Sequence, residues 1–360
     1  MMPSLLEAFW AQPDQRPQWS NAQWETVLAQ ARVTRLLGRL AAHFEDKGWI
    51  PQERTGPYLH LESGLRLTER QQHEVRWEVN RIAHALQEKN IPVVLLKGAA
   101  YLMAGLPAAR GRLFSDVDLL VPKDQVQTVE SAMFAAGWVS DERDAYNQRY
   151  YREWMHEIPP LRHIQRNTFV DIHHTITPPV SRFNVDGALL LAHIQPIPGY
   201  QNIYVLAPVD MVLHSAVHLF TEGEFYSGLR DLLDLNDLVK HFAAQPDFWP
   251  ALMERAAQLR LGIPLYHALH HLQRLFGTAP PAALAERVDA LGPSRASRGF
   301  MAWALGLALR PVHPSCDRPA TGLARWLLYV RSHALRMPLR LVVPHLLRKA
   351  WMHRFAAEEK

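Results

Sequence analysis

A short apolar run near the first third of the chain most constrains what this sequence can fold into. Residues 113–121 are mostly apolar but contain two aspartates, Asp116 and Asp118. Residues two apart in a β-strand point to the same face, so a strand here places the two carboxylates side by side. Two close carboxylates repel, and each raises the pKa of the other unless a cation lies between them. The pattern therefore predicts a strand that carries a divalent metal site.

A third aspartate follows in a second predicted strand. Residues 168–174 alternate apolar and polar side chains, and Asp171 lies between Val170 and Ile172. An Asp-x-Asp pair also occurs on exposed, solvated edge strands, and a single strand aspartate is common. The apolar neighbours of Asp116 and Asp118 favour a buried strand instead, so we expect the three carboxylates to form one metal-binding set.

The composition is that of an ordinary globular protein. The chain has 360 residues, of which 48% are hydrophobic and 21% charged. The single cysteine, Cys316, excludes an intrachain disulfide framework and a cysteine-based zinc cluster. We see no secretory signal at the N-terminus and no apolar run near the roughly 20 residues that a membrane span needs. We therefore expect a cytoplasmic protein.

The hydrophobic pattern divides the chain into four segments. Residues 1–90 are predicted to be helical, with one long helix over residues 62–90. Residues 91–206 contain the strands, at 91–96, around Asp116, beginning at 138–139, at 156–161 and at 168–174, and residues 141–151 are predicted to be a loop. Residues 207–310 form a helical domain and residues 311–360 a basic amphipathic helical segment. The expected fold class is α/β (α+β), with a small mixed β-sheet core, N-terminal helices and a large C-terminal helical region.

The last segment is strongly basic. No acidic residue lies between Asp317 and Glu358. The same stretch holds eight cationic residues: Arg318, Arg325, Arg331, Arg336, Arg340, Arg348, Lys349 and Arg354. It can contact a polyanion such as RNA, or a membrane surface with its apolar residues inward (Trp326, Leu327, Leu328, Trp351, Phe355). The alternative is a helix pair that packs on the core with its arginines in water.

The ordered motifs resemble a known family. They are residues 95–100 (LLKGAA), residues 110–121, residues 170–173 (VDIH), and the helical stretches 214–218 and 229–235. This set is similar to the uncharacterised nucleotidyltransferases within the DNA polymerase β-like superfamily, over roughly residues 90 to 240.

The resemblance implies transfer of a nucleoside monophosphate from a nucleoside triphosphate (NTP) to an acceptor, with pyrophosphate leaving. It implies Asp116, Asp118 and Asp171 as catalytic ligands of Mg²⁺ or Mn²⁺, and Gly98 as a turn close to the triphosphate. Ala99 replaces the serine that commonly follows this glycine in the superfamily. Lys97, Arg110 and Arg112 can supply cationic phosphate contacts in place of the lost hydroxyl.

Several alternatives stay open at this stage. Lys97 and Gly98 can simply end a strand and begin a helix, and Arg110 and Arg112 can be solvated loop residues. The acceptor can be a protein, RNA or a small molecule. The rival function is a non-catalytic nucleotide sensor or adaptor that keeps the fold and uses its basic end to contact a membrane or polyanion. The histidines near the predicted site (His156, His173, His174) are interpreted as structural, and the helical aspartates (Asp231, Asp234, Asp237) as partners of Arg230 or of a neighbouring helix.

Overall fold

The computed structural model describes residues 3–51, 56–338 and 340–342. Within these residues the chain forms fifteen α-helices and one seven-stranded mixed sheet. The helices are α1 (Leu5–Ala11), α2 (Asn21–Val33), α3 (Leu37–Asp46), α4 (Pro57–Leu86), α5 (Lys97–Met103), α6 (Val126–Ala135), α7 (Ala145–Arg149), α8 (Gly187–Leu191), α9 (Pro208–Thr221), α10 (Gly228–Phe242), α11 (Phe248–Gln258), α12 (Gly262–Phe276), α13 (Ala285–Leu291), α14 (Arg295–Ala308) and α15 (Thr321–Arg336). The strands are β1 (Val93–Leu95), β2 (Asp116–Leu120), β3 (Trp138–Ser140), β4 (Leu161–His163), β5 (Phe169–His173), β6 (Gln195–Pro196) and β7 (Ile203–Val205).

Local sequence signals begin the N-terminal helices. Ser4 caps α1 by accepting a hydrogen bond from the Glu7 backbone N–H, and the Glu7 side chain accepts one from the Ser4 N–H in return. The same reciprocal capping box links Ser20 with Gln23 at the start of α2. Pro57 occupies the first turn of α4, where its missing N–H removes no helical hydrogen bond. These caps fix where the helices of the N-terminal segment start.

The sheet has the strand order β3-β4-β5-β2-β1-β7-β6. Two pairs are parallel, β2 with β5 and β1 with β7, and the other four pairs are antiparallel. The aspartate-bearing strand β2 therefore lies at the middle of the sheet, between β1 and β5. A central strand has neighbours on both sides, so its side chains are held in fixed positions.

Two apolar cores hold the fold together. The larger joins the sheet to α4, α9 and the C-terminal helices, and α4 buries Val75, Val79, Ile82 and Leu86 in it at helical spacing. The smaller is formed by α1 to α3, the start of α4, and Leu229 and Leu233 of α10. Each such aliphatic side chain stabilises the fold by about 1.5–3 kcal/mol when fully buried.

The expected fold class is confirmed, with a mixed sheet and N- and C-terminal helices. The predicted loop at residues 141–151 was partly wrong, because Asp144 accepts a hydrogen bond from Asn147 N–H and caps α7. The predicted strand at residues 156–161 was also wrong over most of its length. Only Glu157 bridges to β5 there, and Pro159 and Pro160 cannot donate to a sheet before β4 begins at Leu161. Strands β6 and β7 were not predicted.

The basic C-terminal segment packs on the core where it is described. Helix α15 buries Ala324 and Leu328, while Trp326 is exposed. Arg331 Nη1 donates to the Phe220 carbonyl at 2.9 Å, and Arg336 Nη2 lies 2.6 Å from Glu222 Oε1. Five of the predicted contact residues of this segment lie outside the described residues (Arg348, Lys349, Trp351, Arg354, Phe355). In the part of the chain described, no helix is both long and apolar enough to cross a membrane.

Candidate active site

The sheet register places the three predicted aspartates next to one another. Asp118 on β2 is the direct partner of Asp171 on β5, and Asp116 is the partner of Phe169. Paired residues of neighbouring strands share a face, and so do residues two apart on one strand. Asp116, Asp118 and Asp171 therefore stand on the same face of the sheet.

The carboxylate oxygens themselves do not all meet. Among the described residues, the three aspartates do not form a group whose ligand atoms all lie within 4.8 Å of one another. Asp116 and Asp118 are instead turned to different neighbours. Asp116 Oδ1 accepts a hydrogen bond from Ser115 Oγ at 2.9 Å, and Asp118 Oδ1 faces Lys97 and His173. Like charges without a cation between them repel, which explains this divergence.

Asp118 is the most enclosed of the three, with 6% of its surface exposed. Its Oδ1 lies 3.0 Å from His173 Nε2 and 3.4 Å from Lys97 Nζ. Burial alone would raise the pKa of this carboxyl, but Lys97 and His173 hold the pKa well below its usual range. Burial likewise lowers the pKa of Lys97, yet Asp118 and Asp116 together raise it above its ordinary value. Both groups are therefore charged at neutral pH.

Asp171 lacks such a partner. Its Oδ1 is buried and makes no hydrogen bond. Burial, together with the charges of Asp118 and Glu157, raises the pKa of Asp171 to about 7. A buried carboxylate oxygen without a donor is costly, so this atom is available to a cation or a proton.

Gly98 is the second residue of α5, directly after Lys97, whose backbone is left-handed with φ 46°. A Cβ added to Gly98 would lie 2.2 Å from Arg112 Nη1. The Arg112 guanidinium fills this space and pairs with Asp234 Oδ2 through Nε at 2.8 Å. The structure thus gives Gly98 a packing role under Arg112, and the predicted role of Gly98 beside a triphosphate stays a prediction.

The remaining predicted contact residues lie apart from the aspartates or are already paired. Ala99 is buried in the first turn of α5. Arg110 is about half exposed and lies 2.6 Å from Asp46 Oδ1 and 2.9 Å from Glu45 Oε2. Lys97 is therefore the predicted cation that the structure brings to the aspartates, whereas Arg110 and Arg112 are held by other carboxylates.

Histidines and a glutamate not predicted as functional also surround the site. His156, Glu157 and His173 offer ligand atoms that all lie within 4.8 Å of one another. His214 and His218 are four residues apart on α9. Burial, and then the positive charge of Lys97, hold the pKa of each well below its usual value. The four-residue spacing on α9 could have signalled a shared helix face. No spacing rule links Glu157 to His173, since an isolated β-bridge brings them together.

The donor set suits a hard divalent cation. Mg²⁺ and Mn²⁺ prefer oxygen ligands, and the three aspartates offer only carboxylate oxygens on one face. The buried, unpartnered Asp171 Oδ1 is an atom that such an ion would satisfy. The donor chemistry of Asp116, Asp118 and Asp171 therefore fits such an ion, while their oxygens do not all lie within 4.8 Å of one another in this structure.

Comparison with known proteins gives one family. A model of a family described as uncharacterised nucleotidyltransferase matches residues 20–277. The matched segment begins before α2 and ends just after α12, so it includes the whole sheet. No curated protein matches the chain significantly, and no solved structure does either.

Proposed function

The chain belongs to the uncharacterised nucleotidyltransferase family, and from that premise we propose that it moves a nucleoside monophosphate from an NTP to an acceptor with the help of Mg²⁺. An acceptor oxygen forms a bond to the α-phosphorus, the bond from that phosphorus to the bridging oxygen breaks, and pyrophosphate leaves. The acceptor hydroxyl gives up its proton to solvent water. The observation that supports this reaction is the parallel pairing of Asp118 with Asp171, next to Asp116 on the same face of the sheet.

Asp116, Asp118 and Asp171 would hold the cation. When bound, Mg²⁺ neutralises phosphate charge and makes the acceptor hydroxyl easier to deprotonate. Mn²⁺ binds the same kind of oxygen ligand as Mg²⁺, so we expect Mn²⁺ to replace Mg²⁺ in this site.

Other side chains prepare the site for the substrate. Lys97, fixed by α5 and 22% exposed, places a permanent positive charge beside the aspartates, where an incoming polyphosphate needs one. His173 donates to Asp118 from β5 and fixes the orientation of that carboxylate. His214 and His218 are neutral and add no further positive charge near Lys97.

The test uses the purified full-length chain with labelled NTPs and Mg²⁺. We expect wild-type protein to bind nucleotide in a metal-dependent way, and Asp118→Asn to lose that binding. Asp124→Asn removes an exposed carboxylate outside the site and serves as the matched control, which should bind as wild type does. Circular dichroism checks that each variant is folded. Nucleotide binding that is absent, or indifferent to the Asp118 substitution, contradicts the proposal.

Offering cell extract as the acceptor, with each labelled NTP in turn, identifies the base and the acceptor class. Label on a protein, on RNA or on a small molecule distinguishes the three acceptor classes.

A second candidate is a nucleotide sensor or adaptor without catalysis. It is favoured by Asp118 already having Lys97 and His173 as partners, and by the three carboxylates not meeting within 4.8 Å. Ala99 also offers no hydroxyl to a phosphate. Nucleotide binding without release of pyrophosphate, in the presence of acceptor extract, would select this candidate. Its basic C-terminal end would then contact a membrane surface or polyanion.

A further inference from the structure

We propose that His156, Glu157 and His173 form a second metal site, for a borderline-soft divalent ion of the Zn²⁺ class. The site differs from the aspartate set in its ligands, because two of its three donors are imidazole nitrogens. One ligand atom from each residue lies within 4.8 Å of the other two. Neither the family match nor the sequence motifs assign this site.

His173 is 2% exposed, and its two ring nitrogens have different surroundings. Nε2 lies 3.0 Å from Asp118 Oδ1, and a carboxylate requires the ring to donate from this nitrogen. Nδ1 is buried without a hydrogen-bond partner. It faces Glu157 Oε2 at 3.4 Å. In the neutral ring Nδ1 carries a lone pair opposite a carboxylate oxygen, so a positive charge is needed there: a proton on Nδ1 when the site is empty, or a metal ion bound to both groups.

The arrangement of His173 matches the usual second shell of a metal-bound histidine. A histidine that binds a metal through one ring nitrogen normally donates its other N–H to a carboxylate or carbonyl. Asp118 is the carboxylate that accepts this hydrogen bond from His173. Asp118 therefore serves the second site by orienting the His173 ring, without itself being a ligand there.

His156 is the second imidazole of the cluster. Its Nδ1 is buried and makes no hydrogen bond, and its ring centroid lies 5.1 Å from that of His173. The isolated bridge between Glu157 and His173 holds the two segments together at this point. The two imidazoles each have a buried ring nitrogen without a hydrogen-bond partner, and both lie beside one carboxylate, so hydrogen bonds within the protein do not satisfy this polar cluster.

The ligand chemistry selects the kind of ion. Imidazole with one carboxylate suits Zn²⁺ and other first-row divalent ions, whereas Mg²⁺ prefers oxygen donors alone. Three protein ligands leave a fourth position, and His156 and Glu157 are both partly exposed. The site can therefore hold a water molecule or a substrate atom in that position.

The decisive experiment is Zn²⁺ titration of tag-free, metal-stripped full-length protein by isothermal calorimetry. We expect stoichiometric binding that weakens by at least about 100-fold in His156→Ala and in Glu157→Gln, more than the loss of a second-shell partner usually costs. Asp118→Asn should weaken binding by a smaller factor, about 10- to 100-fold, because it removes only the orienting carboxylate.

Two variants serve as controls and should bind Zn²⁺ as wild type does. Asp124→Asn removes an exposed carboxylate outside both proposed sites, and His270→Ala removes a half-buried imidazole that is stacked on Tyr266. Co²⁺ substitution in the wild-type protein gives a readout that depends on no variant. Visible absorption bands typical of nitrogen-ligated Co²⁺ are expected.

Absence of those bands, or Zn²⁺ binding that is equally tight in His156→Ala and Glu157→Gln, overturns the second site. Nucleotide binding is measured separately in the same preparations. Wild-type protein that binds Zn²⁺ but no nucleotide therefore rejects the proposed function alone, and wild-type protein that binds nucleotide but no Zn²⁺ rejects the second site alone.

Discussion

Asp118 and Asp171 are direct partners on the parallel strands β2 and β5, yet their carboxyl groups differ in charge behaviour. Lys97 and His173 compensate Asp118 for its burial and hold its pKa low, whereas burial and neighbouring carboxylates raise the pKa of Asp171 to about 7. The unequal pair concentrates the electrostatic cost of the site on Asp171. Stability measurements on the metal-free protein should therefore detect this electrostatic cost.

Substitution of Asp171 should change stability in a pH-dependent way. The pKa of this group is raised on folding from 3.8 to about 7, so its ionised form is disfavoured in the folded protein. The free energy of unfolding of wild type therefore falls as pH rises between these values. Asp171→Asn does not ionise and should be more stable than wild type by about 2–4 kcal/mol at pH 8, and by less at pH 5.

Urea unfolding in EDTA at the two pH values checks this, with Asp124→Asn as the exposed control. Adding Mg²⁺ should stabilise wild type and leave Asp171→Asn unchanged. An equal stability difference at pH 5 and pH 8 would contradict the assigned titration.

The ion pair of Lys97 with Asp118 should show strong coupling. Asp118 has 8% and Lys97 22% of its side chain exposed, so removing either partner leaves a mostly buried charge alone. We expect Lys97→Met and Asp118→Asn each to cost about 2–3 kcal/mol, slightly less than for a fully buried pair. The double variant should lose less free energy of unfolding than the two single variants together, and the difference should be about 0.5–3 kcal/mol. A double-mutant cycle by urea unfolding measures the coupling, and additive losses would show that the pair contributes nothing specific.

Gly98→Ala should destabilise the protein because its new Cβ would collide with Arg112. The side chain of Arg112 is 10% exposed and paired to Asp234, so it cannot move without breaking that pair. We expect a loss of about 1–3 kcal/mol, as for other overpacked positions. Gly299 in α14 has open space around it, and Gly299→Ala should instead stabilise by about 0.5–1 kcal/mol. Thermal unfolding compares the two, and a neutral Gly98→Ala would reject the packing role.

Arg39 and Arg110 form ion pairs that should contribute very different amounts to the stability of the protein. Arg39 is 5% exposed and pairs with Asp234 and Asp237 of α10. Arg39→Ala leaves the half-buried Asp237 without this partner and the buried Asp234 with Arg112 alone. We expect a cost of about 2–4 kcal/mol, slightly less than for a buried charge left wholly without a partner. Arg110→Ala breaks solvent-exposed pairs with Glu45 and Asp46 and should cost at most about 1 kcal/mol.

Chemical denaturation measures both variants. The nucleotide affinity of folded Arg110→Ala tests the predicted phosphate contact, and an affinity equal to that of wild type would remove Arg110 from the binding site. A large stability loss in Arg110→Ala would contradict its assignment as a surface pair.

The sequence predicted the strands of the aspartate set because their signals are local. Two-residue alternation places Asp116 with Asp118, and the apolar context of Asp171 identifies its strand. The register that makes Asp118 and Asp171 partners is a tertiary property, which no local pattern specifies. The same holds for Arg112, whose partner Asp234 is 122 residues away in the chain.

The missed elements are short or depend on distant contacts. Strands β6 and β7 have two and three residues, too few to show an alternating pattern. His156 and Glu157 were assigned to a strand that Pro159 and Pro160 interrupt, so their approach to His173 could not be anticipated. The predicted division into four segments awaits a separate test, by limited proteolysis for example.

The two ends of the sheet bear on how the protein behaves at high concentration. Edge strands β3 and β6 have only three and two residues, and β6 contains Pro196, which has no N–H to donate. Unpaired strand edges are the usual template on which copies of a protein add to one another and aggregate. Edges this short offer few free hydrogen-bonding groups, so we expect the sheet to resist intermolecular extension while its central strands hold the aspartates in place.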